Sequence, residues 1–162
     1  MTSLWRAAYV AIGSNLNHPR ERVLEALTRL SQLPAIHSVL ASRLYRSHPM
    51  GPQDQPEYVN AAAGLVTQLT PRDLLDAMLD LERSMGRHRG ERWGPRIIDL
   101  DLIWMVGSPT EQPGLSLPHP GVSSRNFVLY PLADIAPMLK IPGLGLVLDL
   151  KSAVGDAGIS VL

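Results

Sequence analysis

Apolar positions recur with two periods along the chain, and the switches between them mark its elements. Residues 4–12 have strand character and end at Gly13-Ser14-Asn15. Residues 18–33 place Val23, Leu24, Leu27, Leu30 and Leu33 at helical spacing, with Asn17 as the expected N-cap and Pro34 as a stop. Strand-like runs follow at 36–46 and 57–69. Between them, Ser47 to Pro56 holds Pro49, Pro52, Pro56 and Gly51, which deny both helix and ladder continuity.

Thr70-Pro71-Arg72-Asp73 supplies a capping hydroxyl, a first-turn proline and an acid three residues after the cap. Leu74, Met78, Leu81 and Met85 then share one helical face up to Gly86, a natural C-terminal glycine. A loop rich in arginine and glycine leads into a strand that contains Asp99 and Asp101. The order β-α-β-β-α-β predicts an α+β, ferredoxin-like antiparallel sheet with helices on one face. Beyond Val106 the pattern turns irregular through Pro109, Pro113, Pro118 and Pro120, before an amphipathic segment from Ser124 to about Ile135. This C-terminal third is expected to be an addition to the βαββαβ unit.

Composition narrows the picture. The 162 residues show no repeat and no dividing linker, so a single domain over 1–162 is expected. Zero cysteines exclude disulfides, thiolate metal sites and a cysteine nucleophile, and fit a reducing compartment; a cytoplasmic protein is expected. Ala7–Ile12 is too short for a signal peptide, and no run approaches the roughly 20 apolar residues of a membrane span. Fifteen basic and fifteen acidic side chains cancel, which argues against nucleic-acid or lipid attraction by a global field. Ferredoxin-like RNA-binding modules display strand aromatics on a basic surface, whereas this chain is neutral and 5% aromatic.

The chemistry concentrates in Glu91-Arg92-Trp93-Gly94-Pro95-Arg96-Ile97-Ile98-Asp99-Leu100-Asp101-Leu102. In a strand, Asp99 and Asp101 project from one face while Ile98, Leu100 and Leu102 face the core. Their Cα atoms would lie about 6.6 Å apart, and two such charges repel by roughly 2–3 kcal/mol at an effective dielectric near 20. A cation should therefore sit beside them. Arginines of a purely structural sheet could fill that role, but Arg87, Arg89, Arg92 and Arg96 all precede the aspartates on one glycine-rich loop. Carboxylates bind hard cations and arginines bind phosphate; together they match a magnesium–polyphosphate complex. Neither the P-loop nor the dinucleotide fingerprint is present, so arginines must perform the electrostatic part.

Other positions admit two readings. From periodicity, Glu82 is a solvated helix charge, and His119 between Pro118 and Pro120 is equally a turn residue. Asn60 among Ala61, Ala62 and Ala63 needs either a ligand edge or a backbone partner for its amide. Trp93 and Phe127 are either core aromatics or faces that hold a planar ring.

The stretch Arg92 to Ile103 resembles the signature of 6-hydroxymethyl-7,8-dihydropterin pyrophosphokinases. The likeness extends through Ala11-Ile12-Gly13-Ser14-Asn15-Leu16, Gly51 to Pro56, Tyr58-Val59-Asn60-Ala61-Ala62, Leu117-Pro118-His119-Pro120 and Pro131-Leu132. It implies transfer of pyrophosphate from ATP to the hydroxymethyl group of a reduced pterin, giving AMP, with two magnesium ions; a monomer is expected. By position, Asp99 and Asp101 would bind both metals, and Arg87 and Arg96 would stabilise the transferred group. Glu82, Arg89, Arg96, Ser116, His119 and Arg125 would surround the nucleotide. Ser47, His48, Met50, Tyr58, Asn60, Trp93, Asp99 and Phe127 would contact the pterin. Leu79, His48 and Pro120 depart from the family's common residues. The alternative is a regulatory domain that binds magnesium nucleotide without turnover.

Overall fold

A computed structural model describes residues 4–51, 53–87, 96–107 and 109–162. The first half forms β1 (Arg6–Ser14), α1 (Pro19–Ser31), β2 (Ile36–Ala41), β3 (Tyr45–Ser47), β4 (Tyr58–Thr67), α2 (Pro71–Ser84) and β5 (Asp99–Met105). The remainder adds a hairpin of β6 (Thr110–Gln112) and β7 (Leu115–Leu117), a short 3-10 turn (Val122–Ser124) and α3 (Asn126–Ile135). A second small hairpin, β8 (Lys140–Ile141) and β9 (Gly145–Leu146), leads to α4 (Val147–Val154) and β10 (Ile159–Val161). The main sheet is antiparallel in the order β10-β3-β4-β1-β5, with β2 also paired to β4.

Two layers cover this sheet. Val23, Ala26 and Leu30 of α1 and Leu74, Met78 and Leu81 of α2 are buried against Ala8, Val10, Ile12, Leu65, Leu100 and Leu102, the residues of one pleat. On the opposite face α3 packs against β4, where a Cβ on Gly64 would lie 3.5 Å from Ile135 and 3.6 Å from the Tyr9 ring. The α+β, ferredoxin-like arrangement agrees with the sequence pattern, and α3 and α4 are the C-terminal addition.

Three local expectations change. The N-cap of α1 is His18 rather than Asn17; both adopt left-handed backbone, φ 62° and 53°, and no side chain caps the helix. Pro19 at the first helical position already lacks an N–H, which leaves one donor fewer to satisfy. The expected strand 36–46 is divided, because Ala41 pairs with Ala63 while Tyr45 pairs with Asn60, four steps against three. Ser42 fills this bulge: its N–H donates to the Ala62 carbonyl at 2.9 Å and its hydroxyl accepts the Ala62 N–H at 2.8 Å. The extra residue inverts the alternation, so Ala41 sits on the helix-covered face but Tyr45 and Ser47 on the other. Finally, β10 re-enters the main sheet beside β3, which three residues at the chain's end did not announce.

Candidate active site

Register brings the chemistry together. Asp99 pairs with Gly13 and Asp101 with Ala11, while Gly13 and Ala11 pair on their other side with Asn60 and Ala62. Paired residues share a face, so both aspartates, Asn60, Tyr58 and Ser47 emerge on the side away from α1 and α2. The small residues of β1 form the floor. A Cβ on Gly13 would lie 3.4 Å from Asn60 Oδ1 and 3.6 Å from the Tyr58 ring, so side chains there would fill the hollow. Tyr58, Met50, His48 and Phe127 wall this first pocket, with Arg125 at its rim. Asn60 is buried and donates through Nδ2 to Ser47 Oγ at 2.7 Å, while its Oδ1 lies over Gly13.

A second hollow lies on the other side of Asp101, lined by Leu75, Leu102, Ser116, His119 and Pro120. Asp101 lines both. An irregularity in β5 builds this hollow's edge: Tyr9 pairs with Trp104 but Val10 with Leu102, leaving Ile103 as an extra residue whose carbonyl accepts the His119 N–H at 2.9 Å. His119 Nδ1 accepts the Gly121 N–H at 3.1 Å, which fixes the neutral ring with its proton on Nε2. Burial and the Arg125 charge lower the His119 pKa, against an opposing pull from Asp99. Ser116 Oγ donates to Glu111 at 3.1 Å.

The arginine beside the aspartates is placed by the end of α2. Gly86, at φ 92°, lets its own N–H reach the Arg83 carbonyl and the Arg87 N–H reach the Glu82 carbonyl, both at 3.0 Å. This Schellman turn folds Arg87 back over Glu82. Arg87 Nη1 then lies 2.5 Å from Glu82 Oε2 and 3.0 Å from Asp99 Oδ1. Glu82 is 2% exposed and also accepts the Leu100 N–H at 2.7 Å. The periodicity reading of Glu82 as a solvated charge is therefore corrected. It lies on the stripe of Leu74, Met78 and Leu81 that packs under β5, and its carboxylate faces Arg87 and the β5 backbone.

Electrostatics follow from that burial. Desolvation pushes the Asp101 carboxyl up to about 7, reinforced by Asp99 and opposed by Arg125. Glu82 is raised by burial, with the Leu100 N–H and Arg87 pulling back. Burial alone would lower Arg87, but Asp99 and Glu82 outweigh it and hold the guanidinium above its ordinary value. Arg87 Nε is buried and meets no acceptor among the described residues, a donor suited to an anionic ligand.

Asn15 was given no role from the sequence, yet it ties three segments of the site. Its Nδ2 donates to Gln55 Oε1 at 3.0 Å and to the Pro56 carbonyl at 2.9 Å, and its Oδ1 accepts the Arg96 N–H at 2.8 Å. Its own N–H donates to the Arg96 carbonyl at 2.9 Å. The neighbouring Ser14 hydroxyl donates to the Ile97 carbonyl at 2.6 Å. The signals in the sequence were the polar pair that closes an apolar strand and its place in the motif of the likeness. Arg96 enters β5 from that anchor, close enough for its charge to act on Tyr58. Arg89, Arg92 and Trp93 lie outside the described residues.

The chain is similar to known proteins. The family model described as 7,8-dihydro-6-hydroxymethylpterin-pyrophosphokinase matches residues 9–137. A Pseudomonas aeruginosa protein named 2-amino-4-hydroxy-6-hydroxymethyldihydropteridine pyrophosphokinase is 49% identical over 134 residues, 83% of either chain. The Haemophilus influenzae protein of that name is 42% identical over 149 residues, covering 92% of this chain and 93% of its own. A solved structure of Plasmodium falciparum HPPK-DHPS superposes with a TM-score of 0.70 at 14% identity over 94% of this chain, which spans 45% of that longer protein and shares its fold. The match across β1 to α3 and the near-full-length relatives establish that the chain belongs to the 7,8-dihydro-6-hydroxymethylpterin-pyrophosphokinase family.

Proposed function

We infer that this protein transfers the pyrophosphoryl group of ATP to the hydroxymethyl oxygen of 6-hydroxymethyl-7,8-dihydropterin, releasing AMP and supplying folate biosynthesis. The observation that carries the reading is the pair of hollows meeting at Asp101, one walled by aromatic and amide groups, the other by Ser116 and His119. That layout seats two substrates on either side of one carboxylate pair. The relatives bear the name of a catalyst, which favours an enzyme over a nucleotide-binding regulatory domain.

In this reading the pterin ring lies between Tyr58 and Phe127, with Trp93 as a further contact. Asn60 Oδ1 accepts from the ring edge, since its Nδ2 is already engaged by Ser47. Ser47, His48 and Met50 close the wall. Ser116, His119, Arg125, Arg96 and Arg89 surround the nucleotide. Glu82 acts from beneath, holding Arg87 toward Asp99.

Magnesium fits the donor set. Asp99 and Asp101 offer hard oxygens from one strand face, and among the described residues no cluster of three or more ligating side chains forms a closed cage. Such a pair suits a cation that keeps waters and takes its remaining ligands from phosphate. Two ions between the aspartates and the triphosphate, when bound, would neutralise its charge and polarise the reacting phosphorus. Arg87 and Arg96 stabilise charge on the transferred group, and the walls hold the hydroxymethyl oxygen in line with the β-phosphorus.

Both hollows are built from one chain, so a monomer suffices for the reaction, and the absence of cysteine fits a cytoplasmic location. Among the described residues no helix is long and apolar enough to cross a membrane. Purified protein given Mg-ATP and 6-hydroxymethyl-7,8-dihydropterin should release AMP one-to-one with the diphosphorylated pterin. Chromatography showing ADP as the sole nucleotide product, or no turnover, would overturn the reading.

A further inference from the structure

The last residues of the chain grip both walls of the first pocket. Asn126, the first residue of α3, donates from Nδ2 to the Gly155 carbonyl at 3.2 Å and to the Ala157 carbonyl at 2.8 Å. Its neighbours on either side, Arg125 and Phe127, both line the pocket. From the opposite wall, the His48 N–H donates to the Gly158 carbonyl at 3.2 Å, and Ile159 pairs with Ser47 in the sheet. Ser47 in turn holds the Asn60 amide at 2.7 Å. The Leu162 N–H donates to the Leu44 carbonyl at 2.9 Å, which fastens the end of the strap to the bulge before β3.

Gly158 is suited to this contact. Its φ of 73° is a conformation that side-chain-bearing residues rarely adopt, and a Cβ there would lie 2.6 Å from His48 Cδ2. The His48 ring therefore rests directly on the strap backbone. The second hollow, around Ser116 and His119, makes none of these contacts among the described residues. The strap lies beyond residue 137, where the match to the family model ends.

We propose that residues 155–161 are a positioning strap for the pterin pocket, in which Asn126 and Gly158 set the spacing between the Phe127 wall and the Ser47–His48 wall. This rests on the functional reading above. The strap touches no substrate; it acts through His48, Ser47 and Phe127, whose placement to within a fraction of an ångström governs how well a planar ring is held. Its effect should fall chiefly on the pterin: the Gly158–His48 arm touches no group assigned to the nucleotide, whereas the Asn126 arm can also reach it through the adjacent Arg125.

The test uses the full chain with Asn126→Asp, which removes both donors and sets a carboxylate against two carbonyls, and separately Gly158→Ala, which displaces His48. Equilibrium binding of 6-hydroxymethyl-7,8-dihydropterin and of a non-hydrolysable Mg-ATP analogue would be measured beside the two KM values and kcat. The expected result is a rise on the order of tenfold in pterin Kd and KM in both variants, with nucleotide Kd and KM within about twofold of wild type in Gly158→Ala. Pterin binding unchanged in a folded variant, or pterin and nucleotide affinities falling together in Gly158→Ala, would overturn the strap's role. A wild type that binds pterin without turnover would sink the functional reading while the Kd ratio still decides the strap; a wild type that binds no pterin would overturn both.

Discussion

Glu82 and Arg87 pair across the glycine turn that ends α2, with Oε2 and Nη1 2.5 Å apart, and the same carboxylate oxygen takes the backbone N–H of Leu100. One buried acid thus registers the end of a helix, the start of β5 and the arginine that reaches Asp99. Glu82→Ala leaves a buried N–H and a half-buried guanidinium without that partner, and should cost about 3 kcal/mol of stability. Glu82→Gln retains an acceptor for Leu100 and should recover most of that loss while turnover stays depressed, since the charge that orients Arg87 is gone. Urea unfolding and kcat measured on both variants separate the two effects.

Asp99 and Asp101 stand on the pleat opposite Ile98, Leu100 and Leu102, which are all at most 4% exposed. Asp99→Asn and Asp101→Asn should therefore preserve the fold, and Asp101→Asn removes a desolvated charge outright. The rate should nevertheless fall on the order of 10³-fold, the usual scale for losing charge stabilisation at a phosphoryl group. Steady-state kinetics beside circular dichroism would check this; rates within a few-fold of wild type for both variants would end the metal assignment.

Asn15→Ala removes three side-chain hydrogen bonds that tie the segment before Tyr58 to the segment before Asp99. At about 1 kcal/mol each, the loss should be about 2–3 kcal/mol. Both KM values should rise, because the residues on either side of this knot serve both hollows. A stability change with both KM values intact would make Asn15 structural only.

On the far side of α3, Asp134 accepts from the Tyr45 hydroxyl at 2.9 Å and from Arg43 Nη2 at 3.0 Å. Burial would raise Asp134, but the Arg43 and Tyr45 hydrogen bonds outweigh it and hold the carboxyl below its ordinary value of 3.8. A depressed carboxyl contributes stability that is complete above its unfolded value and disappears as pH falls through the folded one. The stability gap between wild type and Asp134→Asn should thus be full near neutral pH and shrink as acidification carries the solution below the ordinary carboxylate value. Urea midpoints across that range would show it; a gap independent of pH would mean the pair contributes packing alone.

Much of this was legible from pattern. Thr70 caps α2 through the Asp73 N–H at 3.1 Å, Leu74 and Met78 are fully buried, and the Asp-x-Asp alternation fixed which face carries the carboxylates. The site's supports were harder to see. Glu82 falls four residues after Met78 on an apolar stripe, a spacing that could have flagged it as buried. Asn15 makes its contacts with residues 40 and 81 positions away, which no local period reports. The bulges at Ser42 and Ile103 carry no glycine, so neither announces itself as a break in alternation.

The Ser42 bulge makes the chain intolerant of length change at one place. A substitution there loses a hydroxyl that accepts one N–H, whereas a deletion restores regular alternation from Val39 onward and rotates Tyr45 and Ser47 toward the helices. Asn60 would lose its acceptor and Asp134 its phenol in the same event. Residue count between Ala41 and Tyr45 is consequently a heritable constraint separate from residue identity. Related chains that keep this pocket should vary in composition across 42–44 far more readily than in the number of residues they place there.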